Sequence, residues 1–114
     1  MAATVLHGTE GVLAANGTHL GYSDWLEVTQ ERIDLFAHAT GSSAGHEFLT
    51  LSLSNMFLPQ IVEVTGFSMG VNYGTGTVRF LTPVPAGARV RGGAELTGVT
   101  DVKNGLQTTM TITI

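Results

Sequence analysis

His46 and Glu47 are the one histidine and carboxylate adjacent in this chain, and they stand at the head of its most hydrophobic stretch. A base and an acid beside the start of a helix can move a proton on a bound ligand. Two readings of Glu47 are open: a general base, or a carboxylate that only favours the positive end of the helix dipole. Its backbone N–H is a separate candidate, because a first-turn N–H can polarise a carbonyl oxygen whatever the side chain. Further along, Asn72 is a candidate for hydrogen bonding to a ligand or loop, against the alternative of an amide satisfied in the core. Arg79 is a candidate for a ligand phosphate, with a neighbouring subunit or a surface acid as the competing partner.

Other chemistries find little support. The chain has no cysteine, which removes disulfides, thiolate metal sites and a Cys nucleophile together. His7, His19 and His38 read as surface residues, no two histidines have metal-binding helical spacing, and no metal is expected. Gly74 and Gly76 lack the strand and following helix of a phosphate loop. Charged residues make up 12% of the chain, and nine acids against five bases give a net charge of −4. The bases are dispersed, so no nucleic-acid partner is expected, although Arg32, Arg79, Arg89, Arg91 and Lys103 could supply a local site for a phosphorylated ligand. No stretch approaches the ~20 apolar residues that span a bilayer, and Met1 to Leu13 has no basic region leading into an apolar run. The expectation is a soluble, cytoplasmic protein with no membrane partner.

The elements that must position these residues follow from periodicity. At 114 residues there is room for one core, with 1–21 expected as a flexible or loosely packed leader and 22–114 as a single domain. Thr29 is a plausible N-cap for a helix from Gln30 to Ala39, with Ile33, Phe36, Ala37 and Thr40 as its buried stripe and Gly41 as its stop. After a five-residue Gly/Ser/Ala connection, His46 to Val64 predicts a helix buried on most sides and kinked or broken at Pro59. Strands are expected over Ser68 to Tyr73, Val78 to Leu81, Arg89 to Val102 and Leu106 to Ile114. The last pair is joined by a type I′ turn at Asn104-Gly105, and Gly92-Gly93 marks a bulge or bend. The class is α+β, an antiparallel sheet wrapped around a central buried helix. A chain this short leaves sheet surface uncovered, so a homodimer or higher oligomer is expected.

Three segments resemble the MaoC-like (R)-specific enoyl-CoA hydratases, a hot-dog family. They are Tyr22-Ser23-Asp24-Trp25-Leu26-Glu27-Val28-Thr29-Gln30-Glu31 running on to Ala39-Thr40-Gly41, then His46-Glu47-Phe48-Leu49-Thr50-Leu51-Ser52-Leu53, and Gly70-Val71-Asn72-Tyr73-Gly74 with Val78-Arg79-Phe80 and Pro83-Val84-Pro85-Ala86-Gly87. The resemblance implies an acyl-CoA thioester as partner, hydration or dehydration of a trans-2-enoyl-CoA, a thioester oxygen held by the Glu47 N–H, and no cofactor beyond the coenzyme A that the substrate carries. It also implies an Asp and a His directly after the Ala-Thr-Gly segment, and there the sequence departs. Ser42 stands at the Asp position, and only Gly41-Ser42-Ser43-Ala44-Gly45 separates the helices where the family's connection is considerably longer. His46 matches a non-catalytic family histidine, and Glu47 replaces the Gly that usually follows it. Ile114 falls inside an apparent strand where the family adds another. Three functions therefore stand open: a hydratase, if an Asp/His segment follows Gly41 in a longer polypeptide; a catalytically inactive acyl-thioester-binding or interaction subunit; and a hot-dog acyl-CoA thioesterase resting on Glu47.

Overall fold

A long hairpin anchors the structure, a computed structural model that describes residues 2–42 and 45–114. Leu106, Met110 and Ile112 turn toward the core while Gln107, Thr109 and Thr111 face out, the period-two pattern of a strand with one buried face. This strand, β7 (Gly105–Thr113), pairs antiparallel with β6 (Gly93–Val102) from Gly93↔Thr113 to Val102↔Gly105. The hairpin is the expected one, but its turn is centred one residue earlier. Lys103 and Asn104 are the central residues, and Asn104 is the single non-glycine residue with positive φ among the described residues, at 69°. Asn tolerates that region through its short polar side chain. A bulge falls at Thr97, where the register shifts between Leu96 and Gly98.

β2 (His19–Tyr22) adds antiparallel to the other edge of β6, giving the sheet order β2-β6-β7. Upstream, β1 (Thr4–His7) leads into α1 (Gly8–Ala15), and Leu6, Val12 and Leu20 are all core residues. The segment expected as a loosely packed leader is thus woven into the fold. A two-stranded antiparallel ladder joins β3 (Leu26–Glu27) to β5 (Arg89–Val90). The break between β5 and β6 falls at Arg91-Gly92, beside the glycine pair that predicted a bend.

α2 (Gln30–Thr40) begins where its cap predicts, the Thr29 hydroxyl accepting the Arg32 N–H at 3.2 Å, and ends on Gly41 at φ 72°. It has no fully buried residue, and Thr40 is exposed, so the expected stripe reduces to Ile33, Phe36 and Ala37 at partial burial. The hydrophobic stretch after it forms α3 (Glu47–Ser52) and α4 (Ser54–Ile61). These meet at Leu53, where the Met56 and Phe57 N–H groups both reach the Leu53 carbonyl and tighten the turn. Pro59 does not break the helix, which runs through it to Ile61. Burial is one-sided: Leu53, Phe57 and Ile61, four residues apart, are buried, whereas Phe48 is 63% exposed. The helix ends earlier than the sequence predicts because Val62–Thr65 becomes β4, paired in parallel with β1 from Thr4↔Val62 to His7↔Thr65.

The strands expected over 68–73 and 78–81 do not form. No neighbouring strand lies alongside to complete their backbone hydrogen bonds, and Met69, Val71, Tyr73 and Leu81 stand 70–86% exposed. No helix is long and apolar enough to cross a membrane among the described residues.

Ser23 is the buried polar residue that ties the ladders together. Its N–H donates to the Gly92 carbonyl and its Oγ accepts the Gly92 N–H, both at 2.8 Å, while the hydroxyl donates to the Asp24 carbonyl at 2.9 Å. Ser23→Ala leaves the Gly92 amide without that partner, and we expect urea denaturation to show a loss of about 1–3 kcal/mol. A loss under about 0.5 kcal/mol, the range of an indifferent surface change, would mean water replaces the hydroxyl.

Candidate functional site

The C-terminus of α2 and the start of α3 face each other across a cleft of about 370 Å³ lined by Phe36, Thr40, Ser42, Gly45, Glu47 and Phe48. Its shape depends on two left-handed glycines, Gly41 and Gly45, both at φ 72°. Gly45 also has no room for a side chain, since a Cβ there would lie 2.5 Å from Glu47 Oε2. The Glu47 carboxylate is therefore folded back over Gly45 on the cleft wall. Phe48 also lines the cleft, its ring edge-on to Phe80 with centroids 5.6 Å apart. This is the favourable arrangement for two ring quadrupoles.

His46 and Glu47, adjacent in sequence, have different surroundings. The His46 Nε2–H donates to the Val84 carbonyl, tying the start of α3 to the segment before β5, and His46 does not line the cleft. Glu47 does, and it is the one carboxylate among the described residues that line it. The Leu49 and Thr50 N–H groups bond the His46 carbonyl, while helix geometry leaves the N–H groups of Glu47 and Phe48 with no intrahelical acceptor. The cleft thus presents a carboxylate and two phenyl rings beside a helix start whose first two N–H groups have no helical acceptor, a set suited to a ligand with an apolar chain and a polarisable carbonyl.

Asn72 and Arg79 are placed elsewhere. Both are exposed on the irregular segment between β4 and β5 and line neither cleft, so Asn72 is not the buried amide that a central strand would have made it. The candidate Asp/His position falls in the connection 41–45, of which Ser43 and Ala44 lie outside the described residues. Among the described residues no three of His, Asp and Glu come together to hold a metal.

A second cleft, of about 510 Å³, gathers His19, Tyr22, Trp25, Arg89 and Arg91. The sequence offered Arg89 and Arg91 among five dispersed cations that could supply a local site for a phosphorylated ligand, without bringing them together with His19, Tyr22 and Trp25. The available signal was the spacing of Arg89 and Arg91, two residues apart beside a strand start.

No family model matches the chain. Curated relatives do. The 3-hydroxyacyl-thioester dehydratase Z of Mycobacterium tuberculosis strain H37Rv is 40% identical over 120 aligned positions, covering 89% of this chain and 80% of the relative, and the protein of the same name from Mycobacterium bovis matches equally. Nodulation protein N of Rhizobium leguminosarum bv. viciae is 41% identical over 99 positions, covering 67% of this chain and 60% of the relative. Since 89% of 114 residues is about 101, some 19 of the 120 positions aligned with the dehydratase carry no residue of this chain. The chain is therefore shorter than the dehydratase within the matched span itself.

Proposed function

Since this chain belongs to the MaoC-like hydratase/dehydratase family of hot-dog proteins, we propose that it adds water to, or removes it from, an acyl thioester held between α2 and α3. The observation that carries this is the 40% identity, over 89% of the chain, to proteins named 3-hydroxyacyl-thioester dehydratase. In the hydration direction a base takes a proton from water as its oxygen bonds to the β-carbon of the trans-2-enoyl thioester. The π electrons move to an enolate, and the α-carbon then takes up a proton. The Glu47 carboxylate supplies the base on the cleft wall, and the Glu47 N–H faces the developing oxyanion. Addition of water is redox-neutral, so the reaction needs no redox cofactor, and coenzyme A arrives with the substrate.

In the same reading α3–α4 is the central helix of the hot-dog, with the antiparallel strands wrapped around it. Its placement is supported by Phe57 lying against Gly92 and Ile61 near Gly21. Phe67, Met69, Val71 and Tyr73 alternate with small or polar residues and are exposed. That pattern suits a strand completed by a second copy, making the working form a homodimer or higher oligomer. A cytoplasmic location suits a cysteine-free chain that uses acyl-CoA.

A second reading, a non-catalytic acyl-thioester-binding or interaction subunit, is favoured by the 19-position shortfall and by the absence of a His beside Glu47 among the cleft residues described. One experiment separates them. With crotonyl-CoA and the purified chain, loss of the enoyl absorbance with no free thiol is the expected result. Saturable binding without turnover would establish the second reading, and release of coenzyme A thiol would establish a thioesterase. Absence of both binding and turnover would overturn all three.

A further inference from the structure

The second cleft lies on the outer face of the β2-β6-β7 sheet. Tyr22, Gly93 and Thr113 are in register across the three strands there, while Leu20, Ala94 and Ile112 point to the core. Gly93 forms its floor for a steric reason. A Cβ at that position would stand 2.9 Å from the Tyr22 ring and 3.3 Å from His19 Nε2, so the bare backbone lets both rings settle over β6. The rings themselves lie 4.7 Å apart. The Gly21 N–H donates to His19 Nδ1 at 3.1 Å, which leaves the proton of the neutral imidazole on Nε2, as a donor at the floor.

Above the floor, the Arg91 guanidinium carbon sits 4.0 Å from the Tyr22 ring centroid and 4.9 Å from that of Trp25, and Arg89 stands 5.7 Å from the same indole. A guanidinium held against rings by its face keeps its N–H fork free in the plane, the geometry that grips a phosphate or carboxylate through two bonds. No carboxylate lines the cleft. Glu27 and Glu95, opposite Arg89 and His19 in the ladders, are outside it. Two of the five cations of a chain with net charge −4 therefore converge in a cleft whose lining holds no carboxylate. Trp25 and Tyr22 remain 53% and 45% exposed, leaving ring surface on which a planar base can stack, and a volume of about 510 Å³ suits a small-molecule ligand.

We propose that this cleft binds a phosphorylated purine nucleoside, with Arg89, Arg91 and the His19 Nε2–H on the phosphate and the Trp25 indole against the base. The cleft shares no lining residue with the one at α3, and although the coenzyme A of the proposed substrate is itself an adenosine nucleotide, the probe carries no thioester, so binding here is read whether or not the chain turns a thioester over.

Trp25 is the single tryptophan of the chain, so its fluorescence reports on this cleft alone. Titration with adenosine monophosphate should quench it saturably, with matching calorimetric binding. Adenosine and inorganic phosphate should each bind at least about tenfold more weakly, since each lacks one half of the recognition. Arg91→Ala and, separately, Arg89→Ala should weaken binding of the nucleotide at least about tenfold with circular dichroism unchanged, and Lys103→Ala should leave it as it was. Using both arginine variants keeps the test open if one fails to fold. No saturable response to the nucleotide, or undiminished affinity in the folded arginine variants, would overturn the proposal. Equal affinity for adenosine would remove the phosphate from it, and equal affinity for inorganic phosphate would remove the base; either result refutes it as stated.

Discussion

Replacing Glu47 with glutamine is expected to lower the rate of crotonyl-CoA hydration by about 10²–10⁴-fold, the usual contribution of a positioned general base. The substitution keeps the shape of the side chain and its contact over Gly45, and it keeps the backbone N–H at the start of α3. What disappears is the lone acceptor for a proton from water. Glu47 is exposed and its carboxylate has no ion-pair partner among the described residues, so stability should change by no more than about 0.5 kcal/mol. A fall in kcat with the thermal midpoint held is therefore the signature to look for. If the glutamine variant turns over at the parent rate, the carboxylate serves only the helix dipole, and the proton must be taken by a group outside the cleft residues named above. The Glu47 N–H is untouched in either case, so retained binding of crotonyl-CoA with lost turnover would also separate the two roles of this one residue.

Local chemistry made part of this architecture legible in advance. Thr29 and Gly41 fix the ends of α2 because a hydroxyl can satisfy a first-turn amide and a glycine can turn left-handed at a helix end, and neither requirement depends on distant residues. The β6–β7 hairpin was visible in the alternation of Leu106 to Ile112 for the same reason. The helical reading of Val62–Val64 fails because two valines flanking Glu63 after a helical run fit either period. Their strand identity comes from residues 4–7, nearly sixty positions away. The expected strands over 68–73 and 78–81 have the right side chains but no neighbour to pair with in this chain, and a strand is defined by its partner as much as by its pattern. Of the candidate sites, Glu47 was legible as an acid beside a helix start. The Arg91–Tyr22–Trp25 cluster was not, because its arginine is more than sixty residues from the rings it stacks on.

The largest stability effects should centre on the contact between Gly92 and Phe57. Phe57 is 1% exposed, and a Cβ on Gly92 would lie 2.9 Å from both its Cβ and Cδ2. The Phe57 Cβ is fixed by α4, and Gly92 is held on the other side by its paired hydrogen bonds to Ser23, so neither atom can withdraw without moving an element. Gly92→Ala should cost about 1–3 kcal/mol through overpacking, and Phe57→Ala about 3–5 kcal/mol through the lost ring and the cavity it leaves. The two should not add. With the ring gone, part of the space against Gly92 opens and the new methyl relieves some of the cavity. Chemical denaturation of the double variant should thus show a loss smaller than the sum of the single losses by about 0.5–3 kcal/mol, the range of coupling between residues in contact. Strict additivity would mean that α4 and the β5–β6 junction are not packed through this pair, and it would withdraw the main support for seating α4 against the antiparallel sheet.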